Sequence, residues 1–142
     1  MAPHDGPDGH FHDWAAPTDK LTRAGLGKFK APKSPYDLWM EGQEIPIFRD
    51  IGVSKVQDLP LKKWDKMGGN ASFIQLYGTE GMWGCHIIEV PSAGALKPVK
   101  HIYEQQYFVV DGRGSTEVWE EGHEDKVHTF EWQKGSLWSV PL

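Results

Sequence analysis

An all-β fold, an antiparallel sandwich or barrel from about residue 45 onward, is predicted by three features of this 142-residue chain. Short runs rich in aromatic and β-branched residues follow one another at near-regular spacing. Gly, Pro, Asp and Ser punctuate them, and helical periodicity is almost absent.

The elements follow in chain order. Residues 1–35 are rich in Gly, Pro, Asp, His and Lys and show no period, which reads as an irregular, loosely docked arm. "SPYDLWMEGQEIP" predicts a short helix starting at Ser34, with Pro35 in its first turn and Gly42 and Pro46 ending it. At most one further short helix is expected. Residues 36–142 form the domain proper. "IPIFRDIGV" and "VQDLPLKKW" read as short extended segments broken by proline. "ASFIQLYG", "MWGCHIIEVP" and "EQQYFVVDG" read as strands, the second closed by Pro91, Ser92, Ala93 and Gly94. "STEVWEE" and "KVHTFEW" flank the polar "GHED" as a β-hairpin, and "LWSVPL" begins one more strand after the turn "QKGS". The apolar segment ending at Leu142 reads as a sheet edge in need of a partner, so the domain is expected to be incomplete at its C-terminus or completed by another chain.

Composition narrows the function classes. The formal charge is -5, from 15 basic and 20 acidic side chains, with no clustered basic face for nucleic acid. No apolar run has the length of a membrane-spanning helix, and the N-terminus lacks the cationic start and apolar core of a secretory signal. Cys85 is the single cysteine, so no internal disulfide can form and a cytoplasmic location is the default. Seven Trp, four Tyr and six Phe supply apolar area for a core or a small-molecule pocket.

The stretch "LKPVKHIYEQQYFVVDGRG", Leu96 to Gly114, carries the chemistry. In a regular strand, Val99, His101, Tyr103, Gln105, Tyr107 and Val109 share one face, and Glu104 lies on the other unless a bulge exchanges it with Gln105. The pattern resembles the first motif of the cupin superfamily, in which a glycine, a His-x-His pair, a glutamate and a closing glycine stand at fixed spacing. Anchoring on Gly112 puts the glutamate position at Gln105, the second histidine at His101, the first at Val99 and the opening glycine at Ala93, beside Gly94. His101 and Gly112 match; Val99 and Gln105 depart. "GSLWSVP", Gly135 to Pro141, resembles the opening of the second cupin motif, whose histidine lies beyond Leu142. "PYDLWMEGQEIPIF" and "GRGSTEVW" are similar to a branch of single-domain bacterial cupins that carry the label of ethanolamine ammonia-lyase activating proteins.

The resemblance implies a cupin jelly roll whose interior holds Fe(II), Mn or Zn on imidazole and carboxylate donors with positions left open for substrate. In this chain the metal-ligand candidates are His101, with Gln105 or Glu104. An amide oxygen donates more weakly than a carboxylate and Val99 cannot ligate, so weak metal binding is expected. The pocket implied has Val99, Tyr103 and Tyr107 on its wall, with Trp83, Trp119 and Trp138. Two functions stand side by side. One is a metal-dependent, dioxygenase-like enzyme acting on a small organic molecule. The other is a non-catalytic small-molecule-binding or regulatory cupin with a degenerate metal site, which Val99 and Gln105 favour. A fragment without activity of its own is a third reading. The expected partners are a small-molecule ligand and a second copy of the chain in a homodimer.

The remaining candidates have plainer readings. Cys85 and His86 are strand neighbours facing opposite ways, so they form no nucleophile–base pair. His4, His10 and His12 belong to the solvated arm, and His123 and His128 flank an acidic hairpin turn. "DGRG" is a turn, since no helix follows to make it a dinucleotide fingerprint.

Overall fold

The computed structural model describes residues 33–79 and 82–141. The chain divides into two compact units, Met1–Pro98 and Val99–Leu142, a boundary inside the stretch that the sequence reads as one domain. Most of the expected N-terminal arm lies outside the described residues.

The described part of the first unit opens with α1 (Pro35–Glu41). Ser34 caps it: its hydroxyl accepts from the Asp37 backbone N–H at 3.0 Å while the Asp37 carboxylate accepts from the Ser34 backbone N–H at 3.3 Å. This reciprocal pair satisfies two donors that a helix start leaves free, and Pro35 costs nothing in the first turn because its missing N–H would have no partner there. The Ser34 hydrogen bond holds the Asp37 carboxyl below the usual range; Gln75, donating at 2.9 Å, and the nearby Arg49 add to this against the opposing effect of burial. The Gln75 bond also ties the helix to the sheet. Gly42 closes the helix, as the sequence predicts.

Four strands follow: β1 (Ile47–Asp50), β2 (Lys62–Trp64), β3 (Gly69–Leu76) and β4 (Cys85–Glu89). A 3-10 turn at Val56–Asp58 stands between β1 and β2. β3 organises the sheet. It pairs antiparallel with β2 (Lys62↔Ala71) and with β4 (Phe73↔His86), but parallel with β1 (Ile47↔Phe73). The expectation of a wholly antiparallel fold is corrected here. The segment between β1 and β3 is long enough for a crossover, and it returns the chain in the same direction.

The first unit's core is formed by Met40, Ile45, Trp64, Met67, Ala71 and Phe73, with Trp39, Ile47, Ile88 and Leu96 packed against it. Its rings meet edge to face: Trp39–Phe73 at 5.5 Å and 65°, Trp64–Phe73 at 5.3 Å and 69°, and Trp64–His86 at 5.4 Å and 80°. The buried Trp64 indole N–H donates to Gln43 Oε1 at 3.0 Å. Packing at the start of β3 requires glycine. A Cβ on Gly69 would lie 2.5 Å from the Glu89 carbonyl oxygen and 2.8 Å from the Leu96 side chain.

The second unit holds β5 (Gln105–Phe108), β6 (Arg113–Val118), β7 (His128–Gln133) and β8 (Leu137–Val140). β6 and β7 form the hairpin expected from the sequence, in the register Gly114↔Trp132, Thr116↔Phe130 and Val118↔His128. β5 and β8 form a second antiparallel ribbon, with Gln105↔Val140 and Tyr107↔Trp138. The Val109 N–H donates to the Ser136 carbonyl and the Gly135 N–H to the Val109 carbonyl, both at 2.9 Å, so the pairing continues toward the corners. The unit is therefore one long two-stranded ribbon, interrupted on each strand, at Gly112 and at Gly135. Both glycines hold left-handed φ, 88° and 85°, which an L side chain rarely adopts.

Among the described residues the regular structure is mostly strand, with one α-helix, and the strands form a four-stranded sheet and two two-stranded ribbons. Among the described residues no closed barrel forms, and no helix is long and apolar enough to cross a membrane.

Candidate functional site

Alternation along the ribbons of the second unit sorts their side chains. In β6 and β7 the residues Gly114, Thr116, Phe130 and Trp132 share one face; in β5 and β8 the half-buried Gln105, Tyr107, Trp138 and Val140 share one. These two faces meet through their aromatic rings. Tyr107 stacks on Trp138 at 5.0 Å and 9°, and Trp138 faces Trp132 at 6.2 Å and 10°. Phe130 leans on Trp138 at 5.3 Å and 43°. The result is a ladder of three near-parallel rings with a fourth tilted beside it.

Polar groups set the ladder's chemistry. The Trp132 indole N–H donates to Thr116 Oγ1 at 3.1 Å, which fixes its ring. Gly114 makes room for that ring, since a Cβ there would stand 2.6 Å from it. Burial pushes the Tyr107 phenol above its ordinary pKa, and Tyr103 adds to the effect, so its O–H stays protonated as a donor. The Trp138 Nε1–H is buried and has no hydrogen-bond partner, alone in this among the described side chains. Leaving such a donor unmade costs about 1–3 kcal/mol. Away from the ladder, an open depression of about 650 Å³ is lined by Arg113, Ser115, Glu131 and Gln133, which alternate with the ladder residues along β6 and β7, and by Ser136.

Of the metal-ligand candidates, Gln105 lies on the ladder's face of β5, whereas His101 and Glu104 lie outside the strand. The strand starts at Gln105, so His101, Tyr103 and Glu104 lie outside it and the shared face expected for them does not extend that far. A local hydrogen bond is the reason. His101 Nδ1 lies 2.7 Å from the Tyr103 carbonyl oxygen, and the two rings stack at 4.6 Å. A carbonyl only accepts, so Nδ1 donates to it and Nε2 is turned away from it. Glu104 is exposed, and Gln105 is half-buried in the ribbon. No three His, Cys, Asp or Glu among the described residues lie close enough to hold one metal ion. One oriented imidazole and a neutral amide do not fit a centre that takes three or four ligands, at least one of them anionic or a second imidazole.

Of the pocket candidates, Tyr107 and Trp138 belong to the ladder. Val99, Tyr103 and Trp119 are exposed at 42%, 58% and 38%, and Trp83 belongs to the first unit, where it is 54% exposed. Phe130, Trp132 and Arg113 were not singled out from the sequence. The signal was present in "HTFEW", where His128, Phe130 and Trp132 alternate with polar residues at the strand period.

The class that fold and site define is a mostly β protein with an aromatic ladder between two ribbons. No protein-family model, no curated protein and no solved structure matches the chain.

Proposed function

We propose that the chain is a small-molecule-binding, cupin-like β protein whose ligand seats on the Tyr107–Trp138–Trp132 ladder, without a metal in its binding step. The observation that carries this reading is the ladder itself: three flat, near-parallel faces brought together from two ribbons. Flat aromatic faces with few fixed polar groups are the usual lining of a small-molecule site. The cupin assignment draws support from Ala93, which holds φ 54°. That left-handed conformation favours glycine, and it occurs where the motif places its opening glycine. A long antiparallel ribbon broken at matching points is also the element from which a jelly roll is wound.

The test is saturation-transfer NMR of the full chain against a set of aromatic fragments, with and without a chelator. Binding that disappears in Trp132→Ala and is unchanged by the chelator supports the reading. Binding that needs added Fe(II), Mn or Zn would replace it with the metal-dependent, oxidative one. A specific feature keeps that second reading alive: the Nδ1–H of His101 on a backbone carbonyl orients the ring as metal-ligating histidines are oriented. Weak binding of one of these ions through His101, with Gln105 or Glu104, goes with it.

The proposed setting is the cytoplasm, where the lone Cys85 thiol stays reduced. The proposed assembly is a homodimer. Phe108 and Leu137 pair across β5 and β8, on the face opposite the ladder, and are 65% and 66% exposed, which supports self-association. Sedimentation velocity at micromolar concentration tests the dimer; a monomer at all concentrations argues against it.

A further inference from the structure

We infer that the polar face of the β6–β7 ribbon binds a small zwitterion of the α-amino-acid class, its carboxylate on the Arg113 guanidinium and its ammonium on the Glu131 carboxylate. The site lies away from the aromatic ladder, and the inference goes beyond the ladder reading without resting on it.

The first observation is an arginine left free. Among the described residues, every basic side chain except Arg113 and Lys126 meets a carboxylate, a backbone carbonyl or an aromatic ring. Lys126 stands in the turn between the two strands, next to Glu124 and Asp125. Arg113 opens β6 and lines the depression of about 650 Å³. A guanidinium holds its donors in a rigid fork, which fits a carboxylate with two parallel hydrogen bonds.

The second observation is what stands beside it. The register sets Arg113 opposite Gln133 and Ser115 opposite Glu131, so Arg113 and Glu131 share one face on a diagonal of the ribbon. Cα atoms on such a diagonal are about 7–8 Å apart. The two side chains form no ion pair with each other, and Glu131, like Arg113, has no hydrogen-bond partner. A ligand with a single charge would satisfy one of them and face like charge on the other. An α-amino acid carries both charges on one carbon, within reach of two long side chains rooted at neighbouring positions.

The third observation is the surrounding field. From Val99 to Leu142 the chain carries four basic and eight acidic side chains. That surplus repels an anion such as a phosphate ester, whereas a zwitterion has no net charge to be repelled. Ser115, Gln133 and Ser136 complete the polar lining and suit a ligand whose own side chain is polar.

The experiment titrates the full, 15N-labelled chain with three probes of one carbon skeleton. L-Alanine carries both charges, propionate lacks the ammonium and ethylamine lacks the carboxylate. The chain has three arginines, Arg23, Arg49 and Arg113, and the Nε–H resonance missing from Arg113→Lys identifies Arg113. L-Alanine should move that resonance and bind about tenfold tighter than either singly charged probe, the lower end of what a hydrogen bond to a charged group contributes. In Glu131→Gln the order of the two acids should reverse: alanine loses its ammonium partner, and propionate is freed from a neighbouring like charge. Propionate binding as tightly as alanine to the unaltered chain overturns the inference. So does an Arg113 resonance that no probe moves, the result expected if Arg113 and Glu131 simply pair with each other in solution. The probe comparison on the unaltered chain decides even if a variant does not fold.

Discussion

The two units use the same aromatic residues to different ends. In the first, Trp39, Trp64, Phe73 and His86 meet edge to face at 65° to 80°, around a buried core closed by a helix and a four-stranded sheet. In the second, Tyr107, Trp138 and Trp132 lie face to face, and Val109 is the one buried residue described. Edge-to-face packing fills volume in three dimensions and leaves no flat surface to offer. Parallel stacking leaves the outer faces of the stack open. The first arrangement holds a fold together and the second presents a surface, a distinction visible in ring angles even though both sets are rich in tryptophan.

The largest expected effect breaks the comparison on the side of the core. Phe73→Ala should destabilise the first unit by about 3–5 kcal/mol, because Phe73 is fully buried and touches Trp39, Trp64 and His86. Chemical denaturation followed by circular dichroism reads this directly. A loss as small as that of an exposed residue would show that the core has been placed wrongly. Gly69→Ala comes next, at about 1–3 kcal/mol, since its Cβ meets backbone and a packed leucine that cannot both yield.

A third variant pair sharpens the contrast between satisfied and unsatisfied donors. Trp64→Phe removes an indole whose N–H is paired with Gln43; Trp138→Phe removes one whose N–H is unpaired. The second should cost less than the first by at least about 1 kcal/mol, because losing an unmade hydrogen bond relieves a penalty. Equal losses in denaturation midpoints would mean that Trp138 has an acceptor in solution. Below these in size, Ser34→Ala should cost about 1 kcal/mol by removing the helix cap.

The smallest effect depends on pH. Burial lowers the pKa of His86 below its ordinary 6.5, so the folded state holds the ring neutral where the unfolded chain would protonate it. The unfolded state then binds more protons below about pH 6.5, and stability should be complete above that value and fall as the pH drops through it. His86→Phe should flatten this slope in denaturation midpoints measured between pH 7.5 and 5.5. An unchanged slope would assign the pH dependence to other groups.

Local chemistry was legible in the sequence, and pairing at a distance was not. Ser34, Pro35 and Asp37 announce the helix because a capping box and a first-turn proline are short-range signals. The β6–β7 hairpin was equally plain, since turn and alternation lie within one window. The parallel pairing of β1 with β3 was hidden, because nothing in "IPIFRD" states the direction of its future neighbour. β5 starts within one residue of the segment "EQQYFVVDG" read as a strand, but the face carried back to Val99 does not form, because the His101 ring reaches the carbonyl of Tyr103 and folds that segment locally, where alternation alone assumes an extended strand. Half of the ladder, Tyr107 and Trp138, was visible as candidate pocket wall. Trp132 entered only once the register placed it opposite Gly114.

The folded ribbon of the second unit also sets an order of events in time. Val118↔His128 closes the shortest loop in it and Gln105↔Val140 the longest. Loop-closure entropy grows with the chain enclosed, so the hairpin tip zips first and pairing runs toward the termini. The ladder joins Trp132, partway along that zipper, to Tyr107 and Trp138 nearer its open end, and can assemble only when β5 and β8 pair. Amide protons of β6 and β7 should therefore exchange more slowly than those of β5 and β8. A molecule that grips Tyr107, Trp138 and Trp132 together should act as a clasp on the open end, slowing exchange in the strands that would otherwise fray first.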